Sequence, residues 1–294
     1  MGNETPGANW GKWGVGDELG ALNRLGPEST RRGLAASSTG EVLSLAVPLV
    51  AGRGPVCGAR PTMQHYMTRD GGDYATGLPE RGFGYADDVV LLASHGNTHI
   101  DALSHIWAAG KMWNGFASDT VTSRGAMKCG IDKVSPIVTR GVFVDFGPPD
   151  GPCLTDEHAI RVDDLVASIG RLKVKLESGD ALLIRTGWLS RWRAGESTET
   201  QWAGLHPDCA GWIDEQGVVV VGADNIAVEY GPSLIPNDAA PLHVELLRNR
   251  GVLLMELMDL EVLASRRRSE FLLMVSPLPI TGGVGSPVNP VAVL

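Results

Sequence analysis

The chain has 294 residues, 43% hydrophobic and 20% charged, with a formal charge of −9 at pH 7. That is long enough to bury a sizeable core and ordinary for a folded globular protein. It is too acidic for a nucleic-acid binder, which needs clustered lysine and arginine, and no apolar stretch approaches the ~20 residues of a membrane helix.

In chain order, the opening MGNETPGANW has no basic then apolar leader, so no signal peptide is expected and the cytoplasm is the expected location. Residues 1–40 read as an irregular arm with a short helix around Leu19 to Arg24, and 41–294 as one domain. Expected strands are Val42–Val47, Val89–Ala93, Val142–Phe146, Ala181–Arg185, Val218–Gly222, Val252–Leu257 and Phe271–Val275. Several are continuous, β-branched and apolar, the pattern of strands buried on both faces. Expected helices are Asp163–Ile169, Pro207–Glu215 and Pro241–Asn249, the second opened by Pro207 and closed by Gly217. Strands alternating with helices in the second half imply a partly parallel, layered α/β sheet. Cys57, Cys129, Cys153 and Cys209 stand far apart, with no Cys-x-x-Cys pair, so reduced thiols are expected rather than a zinc ribbon or a disulfide frame. The run Arg266-Arg267-Arg268 reads as a solvated turn. GGVGS near Gly282 is not a dinucleotide fingerprint, no phosphate loop exists, and no G-x-S-x-G elbow supports a serine hydrolase.

One stretch stands out. SHGNTHIDALSHIWAAG places His95, His99, Asp101 and His105 within eleven consecutive positions, three of the chain's seven histidines among them. Gly96 and Asn97 permit a tight bend that returns His99 towards His95. If DALSHIWAAG begins a helix, Asp101 and His105 fall four apart on one face. Imidazole and carboxylate are usual donors to Zn²⁺, Mn²⁺ and Fe²⁺, and two histidines with one aspartate leave coordination positions open for water or substrate, as catalytic sites do.

The segment His95-Gly-Asn-Thr-His99-Ile-Asp101-Ala-Leu-Ser-His105 resembles the H-x-G-T-H-x-D-x-P-x-H signature of the cyclase superfamily, which includes bacterial kynurenine formamidase and isatin hydrolase. Weaker likeness extends through WGVGDELGALN, ALLIRTGW, VGADNIAVE and GVLLMELMDLE. The resemblance implies a swivelling β/β/α fold with a mixed sheet and flanking helices. It also implies a homo-oligomer, dimer or tetramer, with the arm packed across a subunit interface. It assigns His95, His99 and Asp101 as metal ligands, with His105, His243 and Glu256 as the further positions for a second ion or for the active site. Asn97 replaces the signature's glycine and Leu103 its proline. Ala108 stands where formamidases carry a further histidine, and the spacing from His243 to Glu256 is about one residue longer than in formamidases. Those departures favour an isatin-hydrolase-like single ion, Mn²⁺ or Zn²⁺, over a zinc pair, with His105 free for acid–base work.

The expected chemistry is water activated by the ion, with His105 moving the proton. It would open a small cyclic amide, imide or lactone, or cleave an N-formyl amide. The alternatives are a metal-dependent cyclase or dehydratase, a non-haem Fe(II) oxygenase built on the same donor types, and a non-enzymatic metal-binding module. His65 in a polar loop, Trp107 just after the cluster and Asp224 at a strand end are candidates for the substrate pocket. His158 and His206 read as caps or exposed residues. A carboxylate at Glu256, within an apolar run, is costly unless paired or coordinating.

Overall fold

The computed structural model describes residues 7–55, 60–72, 84–147, 153–232 and 240–294; Cys57 lies outside them. A nine-stranded sheet forms the frame. In chain order its strands are β1 (Val42–Ser44), β2 (His99–Asp101), β3 (Ile137–Asp145), β4 (Ala181–Arg185), β5 (Val220–Ala223), β6 (Leu253–Glu256), β7 (Glu270–Val275), β8 (Gly285–Pro287) and β9 (Val291–Val293). Their spatial order is β1-β9-β7-β3-β4-β5-β6-β2-β8. The four central strands, β3 to β6, run parallel, and every other pair is antiparallel. The sheet is therefore mixed.

The parallel centre follows from composition. ALLIR, VVGA and LLME bury every residue, as strands covered on both faces must. Gly141 on β3 lies opposite Phe271 on β7, and a Cβ there would meet the Phe271 ring at 2.4 Å, so the aromatic ring fills the glycine's space. Helices close the layers. α1 (Pro27–Ala36) opens with proline at its first position and approaches β3 so closely that a Cβ on Gly33 would sit 2.6 Å from Thr139. α2 (Val162–Leu172) buries Leu165, Ser168 and Ile169. Pro241–His243 begins a helix that continues as a π-helix over Val244–Arg250. One buried apolar cluster runs from Ala21 to Leu294, and a smaller one joins Trp188, Leu189, Ile226 and Leu257.

Several sequence expectations need correction. Asp101 ends a strand and the residues after it form turns, so Asp101 and His105 are not helical neighbours; strand pairing on both sides of β2 claims the backbone that a helix would need. The apolar run after Asp87 forms Asp87–Leu91, which pairs with Gln64–Arg69 in a separate hairpin exposed along its length. Apolar continuity specified a strand there without specifying what covers it. The first forty residues hold the short helix expected around Leu19 to Arg24, as a 3₁₀ turn over Gly20–Arg24, and in addition α1, which the reading as an irregular arm does not include. The arm's described part docks on its own chain. The Trp10 indole donates to the Arg248 carbonyl at 2.8 Å, Asn9 reaches Asp214 at 2.9 Å, and Asp17 accepts from the Trp113 indole at 3.1 Å. Among the described residues no helix is long and apolar enough to cross a membrane, and Cys129, Cys153 and Cys209 are free thiols.

Candidate metal centre

Strand register builds the site. In β2, side chains alternate between faces, so His99 and Asp101 share one face while Ile100 points into the core. Glu256 on β6 lies directly opposite His99 in the ladder, which puts its carboxylate on that same face. His95 arrives from the turn before β2, and His243 from the helix that precedes β6. Sequence neighbours and residues some 150 positions away thus meet at one end of the sheet.

Two of the imidazoles, His99 and His243, are held by an oxygen behind the ring. His99 Nδ1 donates to the Asn97 carbonyl at 2.7 Å. His243 Nδ1 makes a short contact to Glu229, a carboxylate that also accepts from the backbone amides of Leu242 at 3.0 Å and His243 at 3.3 Å. Both arrangements leave Nε2 facing the cluster, the way metal-binding histidines are oriented from behind. The threonine of the signature serves the fold instead. Thr98 Oγ1 donates to the Leu257 carbonyl at 2.5 Å and accepts from the Val47 amide at 2.9 Å, joining β2 to the end of β6. Backbone strain accompanies the site. Val228, just before Glu229, and Leu257, just after Glu256, have φ of +58° and +54°, a region costly for such side chains. Asn225 supports the first by accepting from the Val228 amide at 2.7 Å.

Two overlapping donor groups result: His95, His99 and Asp101, then Asp101, His243 and Glu256, the donor atoms in each lying within 4.8 Å of one another. All are buried, and Asp101 is 0% exposed. The nitrogens lie near the Asp101 carboxylate, His95 Nε2 at 3.2 Å, His99 Nε2 at 3.4 Å and His243 Nε2 at 3.6 Å. Yet His95 Nε2, His99 Nε2 and both Asp101 oxygens have no hydrogen-bond partner. Buried polar atoms are rarely left so; these converge on shared space instead of on each other. An oxygen and nitrogen donor set of this kind fits a divalent cation, and Asp101 belongs to both groups.

The electrostatics agree. Burial opposes charge on His99, but the nearby Asp101 and Glu256 carboxylates outweigh it and raise the imidazole to about 10. Burial likewise opposes charge on His243, and Glu229 and Glu256 outweigh it, holding the ring well above its usual range. Asp101 stays well below the carboxylate range despite burial, through His105, His95 and His99. The cluster demands positive charge, and among the described residues no lysine or arginine side chain pairs with its carboxylates.

His105 belongs to neither donor group. Its ring stacks on His95, centroids 4.0 Å apart and 18° from parallel, and burial lowers it to about 4, so it is neutral near pH 7. The pocket candidates belong to neither donor group. His65 pairs with Asp88 at 2.7 Å on the exposed hairpin, and Trp107 is 48% exposed just beyond His105. Asp224 is buried, its carboxylate taken by the Thr186 amide and hydroxyl and the Gly187 amide at 2.7–2.9 Å. His206 Nδ1 accepts from the Asp208 amide at 3.2 Å, a local contact just before the helix that starts at Cys209. Sequence reasoning did not single out Glu229, although it ends the VGADNIAVE stretch; a carboxylate beside apolar Val228 was the available signal. Between His243 and Glu256 the chain runs through the π-helical segment Val244–Arg250, whose i→i+5 rings take in one residue more than α-helical ones.

Residues 43–230 match the "Putative cyclase" family. That segment carries His95, His99, Asp101, His105 and Glu229, while His243 and Glu256 follow it. A crystal structure described as a novel cyclase is 36% identical, with 98% of this chain and 99% of that one covered at a TM-score of 0.89. Isatin hydrolase A from Labrenzia aggregata, bound to benzyl benzoate, is 17% identical over 88% of this chain and 94% of its own, TM-score 0.65. An isatin hydrolase bound to the product analogue thioisatinate is 20% identical over 92% and 99%, TM-score 0.64; at such identities the likeness is one of fold. No curated protein sequence matches the chain. With the family's match spanning more than half of the residues and a shared architecture running through almost all of them, the chain belongs to the cyclase family.

Proposed function

We propose that this chain is a metal-dependent hydrolase that opens a small cyclic amide, imide or lactone, or cleaves an N-formyl amide, using water. One observation carries the reading: a fully buried Asp101 carboxylate, both oxygens without hydrogen bonds, shared between two groups of histidine and carboxylate donors. The fold's likeness to isatin hydrolases, whose substrate is a cyclic amide, supports the substrate class. His95, His99, Asp101, His243 and Glu256 would hold a divalent ion, Mn²⁺ or Zn²⁺, which when bound would lower the pKa of a water and polarise the carbonyl. Either one ion or two fit the residues present.

The chain's own groups do the remaining work. His95, His99 and Asp101 form one set of ligands; His243 and Glu256, with Asp101, form the other. Asn97 and Glu229 fix the rings from behind. His105, neutral and stacked beside the donors, takes the proton from the attacking water and returns it to the leaving nitrogen or oxygen.

The test is to strip the protein with chelator and reload it with Mn²⁺, Zn²⁺ or Fe²⁺. Cyclic amides, lactones and N-formyl amides are then supplied in ¹⁸O-labelled water. Turnover restored by Mn²⁺ or Zn²⁺, with one solvent oxygen in the product, is expected. Product without solvent oxygen would make the enzyme a lyase, and Fe²⁺-dependent O₂ uptake would make it an oxygenase.

A further inference from the structure

The GGVGS stretch finds a use at the donor cluster. Gly285, on β8, lies directly opposite Asp101 in the antiparallel ladder and is buried. A Cβ at this position would sit 2.5 Å from His95 Nε2, 2.9 Å from His95 Cε1 and 3.0 Å from the Ile100 carbonyl oxygen. Real Cβ atoms do not come that close to other heavy atoms, so any side chain would displace the ring. The backbone itself does not ask for glycine here, since Gly285 is absent from the positive-φ residues. Its neighbour Gly282 differs: φ is +73° and a Cβ would press on the Gly125 backbone at 3.2 Å, so that glycine answers to the chain's path. At Gly285 the missing side chain answers to an imidazole.

We propose that Gly285 is a positioning residue for the metal centre: the empty space opposite Asp101 is the slot that seats the His95 ring, with Nε2 3.2 Å from the Asp101 carboxylate. The inference rests on reading His95, His99 and Asp101 as cation ligands. Gly285 touches neither His243 nor Glu256 among its closest neighbours, so its effect runs through His95. The two most crowded atoms are the far end of the His95 side chain and the third is the Ile100 carbonyl oxygen, so an added methyl displaces the ring first. A glycine kept for packing alone would behave in the opposite way.

The experiment uses the full chain, stripped of metal, and titrates Mn²⁺ and Zn²⁺ by calorimetry into four proteins: wild type, Gly285→Ala, His95→Ala and the double variant. Gly285→Ala should weaken binding roughly 10–100-fold, the range seen when groups that orient a ligand are lost, while the chelated protein unfolds at nearly the wild-type temperature. In the His95→Ala background the same alanine should cost nothing further, the signature of two residues acting as one. Wild-type affinity in Gly285→Ala, or a loss that adds in full on top of His95→Ala, would overturn the proposal. If Gly285→Ala alone proves unstable, removing the ring in the double variant should restore stability, and failure to do so overturns it as well. A wild-type chain that binds neither ion overturns the metal reading first and the proposal with it, a result distinct from normal binding in the variant.

Discussion

Two of the buried charge clusters on this sheet contrast: the one around Asp180 is paired with arginines of the chain, and the one around Asp101 has none among the described residues. Around Asp180, Arg140 donates at 2.6 Å, Arg32 at 3.0 Å and the Glu177 amide at 2.8 Å, while Arg140 also reaches Glu270 at 2.7 Å and the Lys175 carbonyl at 2.8 Å. Around Asp101, three carboxylates and three imidazoles gather with no arginine or lysine among the described residues, and four donor atoms lack hydrogen bonds. Burying charge is expensive in either place. A cluster that answers its own charge is architecture. One that does not is shaped for a charge delivered from solution.

Exchanging the two aspartates tests that contrast with the largest effects. Asp101→Asn should abolish metal content and turnover. Asp180→Asn should keep the metal but destabilise the fold by about 3–5 kcal/mol, because it leaves buried arginines without their partner. Elemental analysis and urea unfolding read both outcomes, and metal loss in Asp180→Asn would erase the distinction. Within the unbalanced cluster, ligand and proton carrier should separate next. His99→Ala is expected to lose metal. His105→Ala should retain it while turnover falls about 10²–10⁴-fold, the usual worth of a general acid–base group; metal loss in His105→Ala would make that residue a ligand instead.

Glu229→Gln sharpens the comparison further, since Glu229 lies behind His243 and outside both donor groups. Metal affinity should fall roughly 10–100-fold with the His95 group still able to load. Asp224 is an intermediate case and carries the smallest effect: three hydrogen-bond donors surround it, and no ligand group shares it. Burial raises it from 3.8 to about 6 despite those donors. A folded pKa above the unfolded one contributes stability that is whole below pH 3.8 and lost as pH rises through about 6. The swing is at most about 3 kcal/mol. Asp224→Asn should flatten the dependence of the unfolding midpoint on pH between those values; an unchanged slope would mean that the carboxyl titrates normally.

How much of the molecule is legible in the sequence varies with the distance over which residues interact. The spacing of His95, His99 and Asp101 is local, so the sequence alone marks the three as candidate ligands, and the structure brings their donor atoms together. Ala181–Arg185 is legible to the residue because its buried run is continuous and bounded. β2 is not, because three residues are too few to show alternation and the turns after it mimic a helix start. Glu256 looks costly in an apolar run, but its place opposite His99 is a fact of register, set by pairing across some 150 residues. Glu229 escapes notice because its meaning lies in His243, supplied by another element. Gly285 reads as a turn glycine until the strand facing it is known.

The central claim is that the space around Asp101 is made for a cation. Elemental analysis of protein purified without chelator, then dialysed against Mn²⁺ or Zn²⁺, tests it most directly. At least one tightly held ion per chain is predicted, absent from Asp101→Asn. Protein that takes up neither ion, yet turns over a cyclic amide or lactone undiminished in the presence of chelator, would contradict it.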